Sequence, residues 1–201
     1  MGVYELSGAG SLKTGRTLYT SMNAGNQYGA MVPIGSVTVT TGGTTSSIGF
    51  DGIPQTYQDL MLVSSAHTTF GSATATQSLY INATGATGWS QTQFGGDGSS
   101  AYSSRGTTAS VTYGNIITIP GGSTNSSIFN SYVAHILNYR SSTAKTVISR
   151  NAVDLNGSGT TELYAALWKN TAAVASVAIS VNGTFLAGTT ATLYGIRAVS
   201  S

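Results

Sequence analysis

From Ser36 to the C-terminus, apolar and polar residues alternate with the period of a pleated strand, and glycine, asparagine and proline break the runs at short intervals. The clearest runs are Ser36-Val37-Thr38-Val39-Thr40 and Ser176-Val177-Ala178-Ile179-Ser180-Val181, whose valines and isoleucine fall on one face. The same pattern predicts strands near Val37–Thr41, Ser46–Phe50, Asp59–Ala66, Ser78–Asn82, Ser90–Phe94, Thr108–Ile119, Ile128–Tyr139, Lys145–Asp154, Glu162–Lys169, Ser176–Val181 and Ala191–Ala198. No segment carries a long helical period. The separators are turn text: Thr-Gly-Gly-Thr at 41–44, Gly-Gly-Asp-Gly at 95–98, Pro-Gly-Gly at 120–122, Asn-Gly-Ser-Gly at 156–159 and Asn-Gly at 182–183. Asn-Gly is a strong hairpin signal because both residues tolerate positive φ.

Many short strands joined by such turns make an all-β chain, and a jelly-roll-like β-sandwich is its natural form at this length. A barrel or another Greek-key sandwich fits the same letters. No internal repeat of about 20 to 50 residues is present, which excludes a propeller or solenoid.

Residues 1–35 do not share this text. The segment (MGVYELSGAGSLKTGRTLYTSMNAGNQYGAMVPIG) has no sustained period and places five glycines between Gly2 and Gly25. It nevertheless spaces out Tyr4, Leu6, Leu12, Leu18, Tyr19, Met22, Tyr28, Met31 and Val32, with Lys13 and Arg16 as its cations. Too few apolar groups are adjacent to form a core, and too many are present for a solvated linker. The expectation is an extended anchoring arm over 1–35 and a β-sandwich body over 36–201. In the arm, Leu12, Lys13, Arg16, Tyr19, Met22, Tyr28 and Met31 are the candidate partner-binding residues.

Charge narrows the function. Only 7% of the 201 residues are charged and the formal net charge is +2, against about 25% charged in an ordinary soluble domain. Nucleic-acid binding needs clustered Lys and Arg, whereas the eight cations here are scattered from Lys13 to Arg197. A surface of Ser, Thr, Asn and Gly also lets many copies crowd without self-repulsion. Cysteine is absent, which removes disulfides and thiolate metal sites. The N-terminus has no basic region leading into an apolar run, and no stretch nears about 18 uninterrupted apolar residues. The expectation is a chain made in a cytoplasm, with no membrane partner.

Candidate chemistry is sparse. The acids are Glu5, Asp51, Asp59, Asp97, Asp154 and Glu162. Asp59 and Glu162 could form the facing carboxylate pair of a glycan hydrolase, but Asp51, Asp97 and Asp154 sit in turn contexts where Asp bonds local backbone. His135 lies in an apolar strand and reads as a core histidine, His67 ends a strand and reads as a surface one, and two lone histidines make a poor metal site. Asp154 to Gly159 starts like a calcium loop, but the twelfth position is Ala165 and carries no carboxylate. There is no nucleophile elbow and no phosphate loop. The expectation is therefore no enzyme activity, no cofactor and no metal. Tyr57, Trp89, Tyr102 and Tyr113 stand beside polar or turn residues and are the candidate glycan-contact aromatics.

Several stretches in order resemble a family of structural proteins of tailed bacteriophages, of the marine-phage type. They are SLKTGRT at 11–17, YTSMNAGNQY at 19–28, IPQTYQDL at 53–60, FGGDGSS at 94–100, ALWKNTAA at 166–173 and ATLYGI at 191–196. The resemblance spans nearly the whole chain and implies a non-catalytic virion component with a jelly-roll-like body. It brings no active-site residues. A capsid decoration protein docked through its arm is the expected role, with a tail fibre or adhesin binding host glycans as the alternative. Its partners would be other virion proteins and copies of itself, as a homotrimer.

Overall fold

The computed structural model describes residues 30–82, 88–108 and 113–198; for Thr107, Thr108 and Tyr113 only the backbone is described. These residues form twelve strands and no helix: β1 (Met31–Thr38), β2 (Ser47–Phe50), β3 (Asp59–Ser65), β4 (Thr74–Ile81), β5 (Trp89–Gly96), β6 (Ala101–Thr108), β7 (Tyr113–Pro120), β8 (Ser131–Ile136), β9 (Lys145–Asp154), β10 (Gly159–Trp168), β11 (Val177–Val181) and β12 (Thr190–Ile196). One sheet runs β1-β12-β3-β8-β9-β10-β5-β6 and the other β2-β11-β4-β7, antiparallel throughout.

Two hairpins, β5–β6 and β9–β10, are inserted into a simpler plan. Without them, four strands in the order β1-β12-β3-β8 face four in the order β2-β11-β4-β7. The chain changes sheet at every step except β4 to β7, which are neighbours. This is a jelly roll, and the two hairpins widen one of its sheets on the β8 side, where β9, β10 and β5 pack over β7.

The core follows from period 2. β9 alternates buried and exposed over all ten residues, and β3, β8, β11 and β12 keep the same rhythm. Leu60, Leu62, Ala134, Ile136, Ala191 and Leu193 thereby meet Ile48, Leu79, Ile81, Ile117, Ile119 and Ile179 between the sheets. Each buried leucine or isoleucine contributes roughly 1.5–3 kcal/mol.

Two differences from the sequence reading matter. β1 begins at Met31 and pairs with β12 from Met31↔Ile196 onward, so residues 31–35 belong to the sandwich. The predicted boundary at Ser36 marked where alternation becomes regular; Pro33 and Gly35, at the β1 bulge, hid the start. β6 was not predicted at all. Its text, AYSSRGTT, has almost no apolar face, because it is an edge strand paired only with β5 and largely exposed.

The strands also give the body two distinct ends. Met31, Ile196, Asp59 and Ile136 lie at one end, where residues 1–29 join. The turns of β5–β6 and β9–β10 lie at the other, with Gly96↔Ala101 and Gly159↔Asp154 as their closing pairs. Ten residues of strand separate these ends by about 33 Å.

Candidate functional site

At the end where the N-terminal segment joins, a pocket of about 310 Å³ is lined by Thr56, Gln58, Arg140, Arg197 and Ala198. Two connections build it. The Gln58 amide donates to the Ile196 carbonyl (2.7 Å), which joins the turn before β3 to the end of β12, and the Arg197 amide donates to the Ala30 carbonyl (2.9 Å). Arg140 follows β8, and its Nη1 donates to the Gln55 carbonyl at 3.3 Å. The Gln58 side chain is braced by its Nε2 donating to Asn138 Oδ1 at 2.7 Å.

At the opposite end, an open groove of about 510 Å³ runs between the two inserted hairpins, with Asp97 and Asp154 among its lining. Each carboxylate caps its own turn. Asp97 Oδ1 accepts the amides of Ser100 (2.7 Å) and Ser99 (2.9 Å), and these backbone donors hold its carboxyl well below the usual range. Asp154 Oδ1 accepts the Asn156 amide at 2.8 Å, and Asn156 and Gly157 take the positive φ that the hairpin requires. The calcium-like spacing is thus a turn, and no group of three His, Cys, Asp or Glu that could hold a metal occurs among the described residues.

A polar cluster lies behind this groove, inside the sandwich. Tyr102 Oη donates to Glu162 Oε1 at 2.7 Å, Tyr164 Oη lies 3.5 Å from Thr118 Oγ1, and Asn151 Nδ2 donates to the Thr118 carbonyl at 2.9 Å. Burial pushes the Tyr164 phenol up to about 12, and burial together with Glu162 also raises that of Tyr102.

The residues singled out from the sequence distribute unevenly. Leu12, Lys13, Arg16, Tyr19, Met22 and Tyr28 lie outside the described residues. Met31 is the first residue of β1 and is 42% exposed. Trp89 is 1% exposed, with its ring packed on Gly114, so it is a core residue. The Tyr57 ring lies on Gly195 against the core, Tyr102 is held by Glu162, and the Tyr113 backbone pairs with Tyr80. Trp89, Tyr57 and Tyr102 therefore do not gather at one surface.

Asp59 and Glu162 do not meet either, because β8 and β9 separate their strands. Asp59 lies 3.4 Å from His135 and accepts the Asn138 amide at 2.7 Å. The histidines exchange their expected places: His67 is fully buried, between the carbonyls of Ile128 (2.6 Å) and Gly121 (3.2 Å), and His135 is partly exposed. Sequence reasoning missed the Arg140 and Arg197 pair, since residues far apart in a chain of scattered cations carry no local signal.

Compared with known proteins, the chain matches no family model, no curated protein and no solved structure.

Proposed function

We propose that the chain is a non-enzymatic structural protein of a tailed-bacteriophage virion: a decoration protein standing on the capsid shell and held there by its N-terminal segment. The observation that carries this reading is the polarity of the jelly roll. The N-terminal segment joins at one end of the sheet and both inserted hairpins project at the other, so a body tethered through residues 1–29 presents its hairpin turns outward. The low charge of the chain and the apolar spacing of that segment support the same reading. The body assembles as a homotrimer in this proposal, in keeping with the outward-facing Phe94 (58% exposed) and Ile148 (40%) on the widened sheet.

The test uses particles stripped of the protein. Full-length chain should rebind at many copies per particle, and a chain starting at Ala30, which retains all of β1, should fold but not bind. Full occupancy by the shortened chain would sink the anchoring role, and a few copies per particle would move the protein to the tail.

The groove at the free end favours a second reading, a tail fibre or adhesin. Asp97 and Asp154 could there accept hydroxyls of a host surface glycan. Binding of host envelope polysaccharide that Asp97→Asn and Asp154→Asn abolish would select it.

A further inference from the structure

We propose that Glu162, Asn151 and Thr160 hold one alkali-metal cation inside the sandwich, on the inner face of the widened sheet where the two inserted hairpins adjoin. Three oxygens there are buried and have no donor within hydrogen-bonding distance: Glu162 Oε2, Asn151 Oδ1 and Thr160 Oγ1. Their placement follows from register. Glu162 stands directly opposite Asn151 in the β9–β10 ladder, which puts their Cβ atoms about 5 Å apart. Thr160 comes two residues before Glu162 on β10 and so points to the same side. Glu162 and Asn151 are each 5% exposed, and buried polar atoms left without a partner call for a water or an ion.

The carboxylate decides between the two. Glu162 accepts one hydrogen bond, from Tyr102 Oη at 2.7 Å, and no lysine or arginine among the described residues pairs with it. Arg150 lies on the exposed side of β9, and Lys145 spends its ammonium on the carbonyls of Ser141 and Thr143. An ionised carboxylate enclosed without a counter-charge is costly. Asn151 adds a second acceptor, because its Nδ2 is committed to the Thr118 carbonyl at 2.9 Å and only Oδ1 is left over. A cation between these oxygens satisfies both, since hard cations take anionic and neutral oxygens alike. One carboxylate balances one positive charge, which favours sodium or potassium over calcium. The clustered carboxylates or imidazoles of a divalent site do not occur among the described residues. Held there, the ion ties β9 to β10 and, through the Tyr102 contact, to β6, so it braces both hairpins from within.

This inference does not depend on the virion reading, because it is tested on the isolated full chain. The chain is dialysed into choline chloride, and its urea midpoint is followed as choline is replaced by sodium, potassium or calcium at matched ionic strength. An ion that binds only the folded chain raises stability with its concentration. A rise with sodium or potassium is expected, and a weaker one with calcium. Glu162→Gln replaces the charge with an amide that can donate to its neighbours, so the variant should fold and lose the ion-dependent rise. Thr160→Val removes one oxygen at nearly constant shape and should reduce the rise. Asp97→Asn and Asp154→Asn neutralise the exposed groove and should keep it in full. Equal midpoints in choline and in the alkali ions would overturn the site and leave only water or a proton in the cluster. The proposal also fails if the rise survives unchanged in Glu162→Gln or Thr160→Val, or if calcium alone produces it. A rise lost in the groove variants would place the ion at the surface and sink the buried site.

Discussion

Tyr102 on β6 reaches Glu162 on β10 across the strand between them, and Gly95 of β5 is what lets the two side chains meet. A Cβ at Gly95 would stand 2.7 Å from the Thr161 carbonyl oxygen, 2.8 Å from Tyr102 Oη and 2.9 Å from Glu162 Cγ. One glycine thereby fastens the edge strand to the body through a side-chain bond as well as the β5–β6 ladder.

Gly95→Ala should therefore destabilise the fold by about 1–3 kcal/mol through overpacking, and Tyr102→Phe by about 1–3 kcal/mol through the lost donor to a buried carboxyl. Because both changes break the same contact, the double variant should lose clearly less than the sum of the two. Urea unfolding measures all three, and strict additivity would show that the glycine serves some other purpose.

His67 supplies a second test of a buried polar group. Its ring is sealed between the Ile128 and Gly121 carbonyls, with an edge-on contact to Phe129 at 5.7 Å between ring centroids. His67→Phe keeps an aromatic ring and removes both nitrogens, leaving the Ile128 carbonyl against carbon while Gly121 keeps its bonds from Thr124. The expected loss is about 1–3 kcal/mol, together with faster amide exchange in the 121–130 segment that these carbonyls hold. Native-like exchange there would mean that the ring serves only as filler.

The sequence shows the fold best where one face is buried and the other wet. β9 spans Lys145–Asp154 as its alternation predicts, because each residue of that strand has an unambiguous side. β6 was invisible because an edge strand exposed on most of its length has no apolar face to repeat, and it is held by its ladder with β5 and by the Tyr102 hydroxyl on Glu162. The jelly-roll order itself depends on pairings such as Met31↔Ile196, which no local pattern encodes. The candidate sites were less legible still. Trp89 beside polar letters looked like a surface aromatic, yet its ring fills the space over Gly114, a contact between residues on different sheets.

The burial of the tryptophans can be read directly. Trp89 and Trp168 are both almost fully enclosed, so the native chain should emit at short wavelength and resist quenching by iodide. Adding host polysaccharide should leave that emission unchanged even if the groove between the hairpins binds it. Ready quenching by iodide would place at least one indole at the surface and restore it as a glycan contact.

Alkaline pH tests the interior as a whole. Burial raises the phenols of Tyr102, Tyr132, Tyr139 and Tyr164 above the ordinary value of 10.0. A group whose folded value lies above its unfolded one contributes stability that is whole below about pH 10 and is lost as pH rises through the folded value. Lys145 acts in the opposite sense. Its ammonium is enclosed by the carbonyls of Ser141 (2.8 Å) and Thr143 (2.5 Å), and desolvation pulls it below the ordinary 10.5. The unfolded chain then holds that proton longer, so this one group makes stability rise with pH until about 10.5. Four phenols oppose one ammonium, and the urea midpoint should change little up to about pH 9, then fall steeply above about pH 10. Lys145→Met should remove the small rising contribution and leave the fall intact. A midpoint that holds through about pH 11 would show that these phenols ionise without opening the sandwich, and that the polar cluster behind the hairpins is wet.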